Sequence, residues 1–457
     1  QGVLGYFEEL RALRSEGVLF VDRVCAELAA FALPRWSGTV DFSRLLEATE
    51  PIPPREVLMT APVACPLIAL CQLARFWHHC GPEVGTFVQR CRAVVGHSQG
   101  LAAALLVASC TNDNFEELCI DLCKYLFIQG LRCQEAWRGT SIVDNGSLNI
   151  TSSMMSVISS LDELREKLQW SSRDVCLACI NGPMRHVLSG ARQELEAFAE
   201  EQGLKHRLLD VAVPFHSPNL SETADAVLSE IRAQKLLKWL HPGALRSLVP
   251  ASDGSGDLRI ESHKTSSNIL AASLVEQLVH MQLTKLNDWP ASLELAFLKD
   301  ARQNLQRSGG IRLPTYVLDM GPSGLDGLRG LTSFTRHLTE NLPVQLVAMA
   351  GKAGSTVLSE HDPALLPLPP VCRPSVQLGE SNGDTAPVDG LEASLLEVFR
   401  KVAPDMGRHT GILAAGIDSL AVVRIFLEIE GLLPNITVAD ILQHGTVADI
   451  ASFARSQ

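Results

Sequence analysis

Arg92-Ala93-Val94-Val95-Gly96-His97-Ser98-Gln99-Gly100-Leu101-Ala102-Ala103-Ala104 is the stretch on which the fold turns. A short apolar strand over Arg92–Val95 runs into Gly-x-Ser-x-Gly, and an Ala-rich helix follows over Leu101–Ser109. Strand, sharp turn and helix in this order form a nucleophile elbow. The flanking glycines permit close packing and unusual backbone angles. The first turn of the helix offers unpaired N–H groups to a developing oxyanion. A Gly-lined structural turn has the same pattern, so the rest of the chain must supply a base.

A serine hydroxyl needs a base to become a useful nucleophile. The best candidate is His216 in Val213-Pro214-Phe215-His216-Ser217. His97 adjoins Ser98, but its side chain is expected to point away. His186 falls inside a strand, and His78 and His79 end a helix predicted over Pro62–Cys80. Most isolated histidines are structural, so spacing alone leaves these alternatives open.

Outward from the elbow, residues 152–216 have a rhythm of their own. Strands are predicted at Ser153–Ile158, Asp174–Ile180, His186–Ser189 and Arg207–Val213. Helices are predicted from a Ser160 N-cap through Gln169, and over Ala191–Gln202 up to Gly203. The order βαββαβ is the ferredoxin-like motif, here inserted at about 152–214 in a larger α/β unit.

The chain has 457 residues, 46% of them hydrophobic, which excludes wholesale disorder and predicts several domains. Its formal charge of −12 argues against a general nucleic-acid binder. No apolar run approaches the ~20 residues of a membrane span. The start, Gln1-Gly2-Val3-Leu4-Gly5, has neither a signal sequence nor an initiator Met, so the chain is expected to begin inside a longer product. The cysteines lie mostly in apolar patterns, and Cys176 and Cys179 have no second pair at zinc spacing. Reduced core thiols, no metal and a cytoplasmic location are expected.

Pro363, Pro367, Pro369, Pro370 and Pro374, followed by Gly379-Glu380-Ser381-Asn382-Gly383-Asp384, mark an extended linker over 351–389. It divides a body, 1–350, from a helical tail, 390–457. Helices are predicted at Gly390–Val402, Asp418–Leu432, Val438–Leu442 and Val447–Arg455. The tail has five Lys or Arg against eight Asp or Glu, so the acidity is mostly the body's. At a loop-to-helix junction stands Gly416-Ile417-Asp418-Ser419-Leu420.

Six segments occur in a telling order: Ala93–Ala104, Gln129–Ala136 (QGLRCQEA), Ile180–Gly190 (INGPMRHVLSG), Val213–Ser217 (VPFHS), Asp253–Arg259 and Val317–Gly321. Together they resemble the acyltransferase domain of the fungal fatty-acid synthase β chain. They also resemble its relative, the starter-unit acyltransferase of fungal non-reducing polyketide synthases. The resemblance implies an α/β-hydrolase-like large subdomain with an inserted ferredoxin-like subdomain. It implies a Ser–His dyad without a third acid: Ser98 as nucleophile and His216 as general base. The backbone N–H of Gln99 belongs to the oxyanion hole it implies. Asn181 and Phe215 fall in its substrate-binding segments. Gln1-Gly2 looks like the end of the family's Gly-Gly-Gln-Gly segment, which puts Gln1 beside the oxyanion and leaves the first strand out. Many polyketide starter domains have cysteine at the nucleophile position, so Ser98 leans to the synthase pattern.

Malonyl-transferring relatives have Arg-Gly where this chain has Gln129-Gly130. A guanidinium can pair with a free carboxylate, and glutamine supplies no charge. The acyl group expected is therefore uncharged, acetyl or a short alkanoyl. Arg132, one helical turn on, is taken as a surface or packing residue.

The tail resembles an acyl carrier protein, an all-α four-helix domain. That resemblance implies 4′-phosphopantetheine on Ser419, attached by a phosphopantetheinyl transferase. Glu428 and Glu430 are docking candidates whose simpler role is surface charge. The activity expected is acyl transfer from acyl-CoA to the carrier, in cis or in trans, feeding a synthase partner such as a ketosynthase. The rivals are a serine thioesterase or hydrolase, a malonyl transferase, and a scaffold with a degenerate acyltransferase.

Overall fold

The computed structural model describes residues 3–36, 40–47, 50–137, 140–142, 148–253, 257–260, 269–299, 315–319 and 344–348. In the tail it describes 390–403, 406–408, 425, 428–429, 433, 441 and 446–456. The chain divides into two compact units. One is Gln1–Arg312 with Met320–Pro343, the other Leu313–Asp319 with Val344–Gln457.

The first unit has a large lobe and a small lobe. The large lobe opens with α1 (Val3–Ser15), α2 (Phe20–Ala32), α3 (Arg55–Leu58), α4 (Ala61–Cys80), α5 (Val84–Arg90), α6 (Gly100–Ser109) and α7 (Phe115–Ala136). α4 and α6 are apolar nearly all round, and both are buried at the centre. α1 is pinned beside α4 by the Tyr6 hydroxyl, which donates to the Leu58 carbonyl at 3.0 Å, and by a Glu9–Arg75 ion pair. A hairpin, β1 (Thr140–Ile142) and β2 (Leu148–Ile150), leads to the small lobe.

The small lobe runs β3 (Met154–Ile158), α8 (Leu161–Gln169), β4 (Val175–Ile180), β5 (Arg185–Gly190), α9 (Arg192–Glu201) and β6 (Lys205–Leu208). Its four strands lie in the order β6-β3-β5-β4, all antiparallel, as the βαββαβ reading requires. The period-two pattern sorts the two faces. Met155, Val157 and Leu188 meet Leu164, Leu195 and Phe198 of the helices. On the opposite face Met154, Ala178, Cys179 and Val187 are covered by Leu209, Val211 and Phe215.

The last strand is shorter than its sequence suggests. Arg207–Val213 has a strand-like composition, but the chain leaves the sheet after Leu208. Val211 N–H turns back on the Leu209 carbonyl at 2.8 Å, and Ser153 N–H takes the Val211 carbonyl at 2.7 Å. The segment crosses the sheet face instead of extending its edge.

The large lobe resumes with α10 (Ser221–Gln234), the antiparallel pair β7 (Val249–Ser252) and β8 (Asp257–Ile260), and α11 (Ile269–Leu283). β9 (Asn287–Asp288) and α12 (Trp289–Leu293) follow. The strand expected at Arg92–Val95 is reduced to one parallel bridge, Ala93 to Leu248, with Val94 N–H on the Leu248 carbonyl at 2.9 Å. β9 crosses between lobes and pairs in parallel with Cys179–Ile180 at the edge of the small-lobe sheet.

The second unit contains a parallel pair, β10 (Thr315–Asp319) and β11 (Val344–Ala348), and the tail. α13 (Gly390–Val402) and α14 (Val447–Ser456) pack around Leu395, Phe399, Ile425, Ile429, Ile441 and Ile450. Glu392 and Arg408 form a two-pronged pair at 3.0 and 3.2 Å. Glu428 is paired with Lys401 at 3.0 Å, so its charge is engaged inside the domain. No helix among the described residues is long and apolar enough to cross a membrane.

Candidate active site

The turn before α6 brings Ser98 to the surface of the elbow with a left-handed backbone, φ 53°. Such a conformation costs a non-glycine residue roughly 1–3 kcal/mol and persists only where neighbours enforce it. Gly96 shows how. A β-carbon there would lie 2.2 Å from the backbone carbon and oxygen of Gly100. The strand end therefore rests directly on the start of the helix. Gly100 itself makes only ordinary contacts, so the two glycines of the motif are not equivalent.

His216 reaches the serine from the other side. Pro214 interrupts any strand, and Phe215 N–H turns back on the Val213 carbonyl at 2.9 Å. His216 takes φ 60°, and Ser217 caps the short turn that leads into α10. The result is a 2.7 Å hydrogen bond between Ser98 Oγ and His216 Nε2. His216 Nδ1 lies 2.8 Å from the Lys285 carbonyl. A carbonyl can only accept, so Nδ1 has the proton and Nε2 is the free base facing Ser98. The ring is buried, and that burial pushes its pKa down to about 4. It stays neutral at physiological pH, as a general base must.

Among the described residues no carbonyl accepts from the Gln99 N–H. The next two amides are engaged: Gly100 donates to the His97 carbonyl at 2.9 Å and Leu101 to that of Ser98 at 3.1 Å. The Gln99 amide is thus the donor left over beside Ser98. The Gln99 side chain donates to the Cys65 carbonyl. Gln1 and Ser419 lie outside the described residues.

His97 points away from Ser98, as expected, and bridges the lobes. Its Nε2 lies 2.8 Å from Asn181 Oδ1 in the turn after β4, and its ring meets Trp289 edge-on at 5.5 Å. Phe215 packs against the apolar face of the small-lobe sheet. His186 is buried within that sheet, apart from the dyad. Cys176 Sγ lies 3.8 Å from the His216 carbonyl, and the described cysteines are free thiols.

Gln129 is buried on α7 and contacts the Tyr125 hydroxyl at 2.5 Å. Arg132, on the same helix, is taken up by Glu230 and Glu135, each at 2.7 Å. Its charge is therefore committed to these two carboxylates.

One segment escapes sequence reasoning altogether. Residues 282–289 form a strap along the site that touches the Gln99 carbonyl, His216, Ser217 and His97. The Leu283 carbonyl takes Ser217 N–H at 2.9 Å, and the Lys285 carbonyl holds His216. Asn287 and Asp288 join the small-lobe sheet, and Trp289 meets His97. These are mostly backbone contacts, for which no residue type is a signal.

Residues 21–219 match the family described as the starter unit:ACP transacylase in aflatoxin biosynthesis. Residues 389–454 match the family described as the phosphopantetheine attachment site. The chain thus matches two family models in succession, one for an acyl-transferring domain and one for a phosphopantetheine attachment site. The chain is similar to the fatty acid synthase subunit beta of Schizosaccharomyces pombe, 27% identical over 318 residues, 61% of this chain and 14% of the relative. It is also similar to the fatty acid synthase beta subunit aflB of Emericella nidulans, 26% identical over 403 residues, 78% of this chain and 18% of the relative. The conidial pigment polyketide synthase PfmaE of Pestalotiopsis fici is 31% identical over 195 residues, 41% of this chain and 8% of that protein. The chain therefore spans less than a fifth of the length of these curated relatives.

Proposed function

We propose that this chain transfers an uncharged starter acyl group, acetyl or a short alkanoyl, from acyl-CoA through an ester on Ser98 to the carrier at Ser419. The transfer would serve polyketide or fatty-acid biosynthesis in the cytoplasm. The observation that carries the reading is the Ser98–His216 contact, with His216 Nδ1 fixed on the Lys285 carbonyl. A backbone acceptor in place of a third acid holds the imidazole in the right tautomer without adding charge.

Two half-reactions follow from this geometry. His216 Nε2 takes the Ser98 proton as Oγ attacks the thioester carbonyl, and the Gln99 N–H receives the developing oxyanion. The C–S bond breaks, and His216 returns the proton to the CoA sulfur. The attachment-site match over 389–454 and the helical core of the tail fit a carrier with Ser419 as its modified residue. 4′-Phosphopantetheine supplies, when attached there by a phosphopantetheinyl transferase, the thiol that accepts the acyl group. In the second half His216 takes the acceptor thiol proton and returns it to Ser98 Oγ as the ester C–O bond breaks. One thioester replaces another, so no energy source is needed. A ketosynthase of a synthase partner would use the product.

The neutral acyl group is argued from position 129. Gln129 is buried and uncharged, and the nearby Arg132 is committed to Glu230 and Glu135. A carboxylate buried without a partner would cost several kcal/mol.

Intact-protein mass spectrometry of the pantetheinylated full chain across an acyl-CoA panel tests the reading. Acetyl or a short alkanoyl should appear on the carrier, and Ser98→Ala should abolish it. Free acid as the sole product would make the chain a hydrolase. Malonyl loading above acetyl would remove the argument from Gln129.

A further inference from the structure

A line of buried hydrogen bonds leads from position 129 to the catalytic turn. Tyr125 Oη lies 2.5 Å from the Gln129 amide and 2.6 Å from Gln282 Oε1. Gln282 Nε2 donates to the Gln99 carbonyl at 3.3 Å, and that carbonyl also takes the Ala102 N–H at 3.1 Å. Tyr125, Gln129 and Gln282 are each at most 2% exposed, so water does not compete for these bonds.

The proton count fixes the direction of the line. A hydroxyl has one proton and cannot donate to two amide oxygens. Gln282 has no freedom to turn, because its oxygen would then face the Gln99 carbonyl. The Tyr125 proton therefore goes to Gln282 Oε1. Gln129 must then donate its NH2 to Tyr125 Oη; the two ends of a carboxamide have nearly the same shape. Burial pushes the phenol pKa upward, so Tyr125 keeps its proton.

We propose that Tyr125 and Gln282 are positioning residues that lock the Gln129 amide with its oxygen directed away from Tyr125, toward the acyl group that the proposed function places at position 129. The inference rests on the proposed acyl transfer and on Gln129 standing at the pocket end. It adds a second ground for excluding a carboxylate. Position 129 lacks a cation, and it also presents an acceptor that repels an anionic acyl group. Neutral acyl groups meet no such penalty. The same line ends on the residue whose N–H serves the oxyanion, so pocket end and catalytic turn share one hydrogen-bond frame.

Two variants release the lock in different ways. Tyr125→Phe removes the hydroxyl and lets Gln129 rotate. Gln282→Met keeps the side-chain length but frees the Tyr125 proton for Gln129 Oε1, which turns the NH2 outward. Loading of the full pantetheinylated chain with acetyl-CoA and malonyl-CoA in competition gives the readout. Both variants should lower the acetyl-to-malonyl ratio of kcat/KM about tenfold. In a Gln129→Ala background neither should change the ratio further. Equal loss of both substrates, with the ratio within twofold of wild type, would show packing alone and overturn the proposal. A wild-type chain that forms no Ser98 ester, or that prefers malonyl, overturns the proposed function before any variant is made, and the lock with it.

Discussion

Gly203 and Ser98 both take the left-handed backbone, and they take it for different reasons. Gly203, at φ 62°, ends α9 in open space, with nothing within 4 Å of where a β-carbon would stand. Its conformation is a local convenience. Ser98 and His216, at φ 53° and 60°, have side chains and hold the same conformation against its cost. Ser98 is enforced by the tight Gly96–Gly100 contact inside the turn, and His216 by the 282–289 strap, whose Lys285 carbonyl comes from 69 residues away. The small lobe is thus assembled from local signals, whereas the dyad is completed by a long-range backbone contact. The catalytic turn should be brittle and the small lobe forgiving.

A pair of alanine substitutions tests this contrast at its largest. In Gly96→Ala the new methyl would meet Gly100 backbone at 2.2 Å, and no flexible side chain can give way. The expected loss is about 4–5 kcal/mol of stability, with acyl-serine formation lowered by about 10³-fold or more. Gly203→Ala pays only for the left-handed angle, roughly 1–2 kcal/mol, and should leave acylation unchanged. Urea unfolding and single-turnover CoA release measure both. Comparable effects at the two glycines would erase the distinction.

The pH dependence sharpens the comparison from the chemical side. Burial holds His216 at about 4, below its ordinary 6.5, and nearby His97 pushes the same way. The base is neutral above that value and protonated below it. Single-turnover CoA release should stay flat from pH 8 to about 5.5 and fall by half near pH 4. A midpoint near 6.5 would mean a solvated imidazole and a site not enclosed by the strap. The folded state also binds fewer protons than the unfolded chain between these values. Stability should therefore decline as pH falls from about 6.5 toward 4, by up to ~3 kcal/mol from this group.

The same division explains what could be read from the residues alone. Ser160 as a cap, Gly203 as a stop and period-two alternation in the strands each act within a few positions, and the βαββαβ order followed from them. The elbow was legible because its glycines and its helix are adjacent in sequence. The match of Ser98 with His216 needed a family pattern, since 118 residues separate them. Lys285 escaped entirely: its carbonyl does the holding, and every residue has a carbonyl. Tyr125 looks like one more core residue on a buried helix face, and only the structure shows which amides its hydroxyl meets. The overlong strand at 207–213 failed for a related reason. Its composition suits a sheet edge, but the chain is drawn across the sheet to deliver His216.

The smallest expected effect is the most discriminating for the small lobe. Ser160 accepts from Glu163 N–H at 3.4 Å, a long capping bond. Glu163 completes no reciprocal box. Its carboxylate takes the Ser159 hydroxyl at 3.0 Å and pairs with Lys167 at 2.7 Å. Removing the Ser160 hydroxyl should therefore cost only about 0.5–1 kcal/mol, the low end for an N-cap. α8 packs on the sheet face opposite Phe215, so the loss has no path to Ser98 through direct contact. Ser160→Ala should lower the urea midpoint slightly and leave single-turnover CoA release within experimental error of wild type. A fall in the chemical rate that tracks this small loss of stability would show that the small-lobe sheet transmits strain through β9 to the strap. The dyad would then depend on local signals in the small lobe after all.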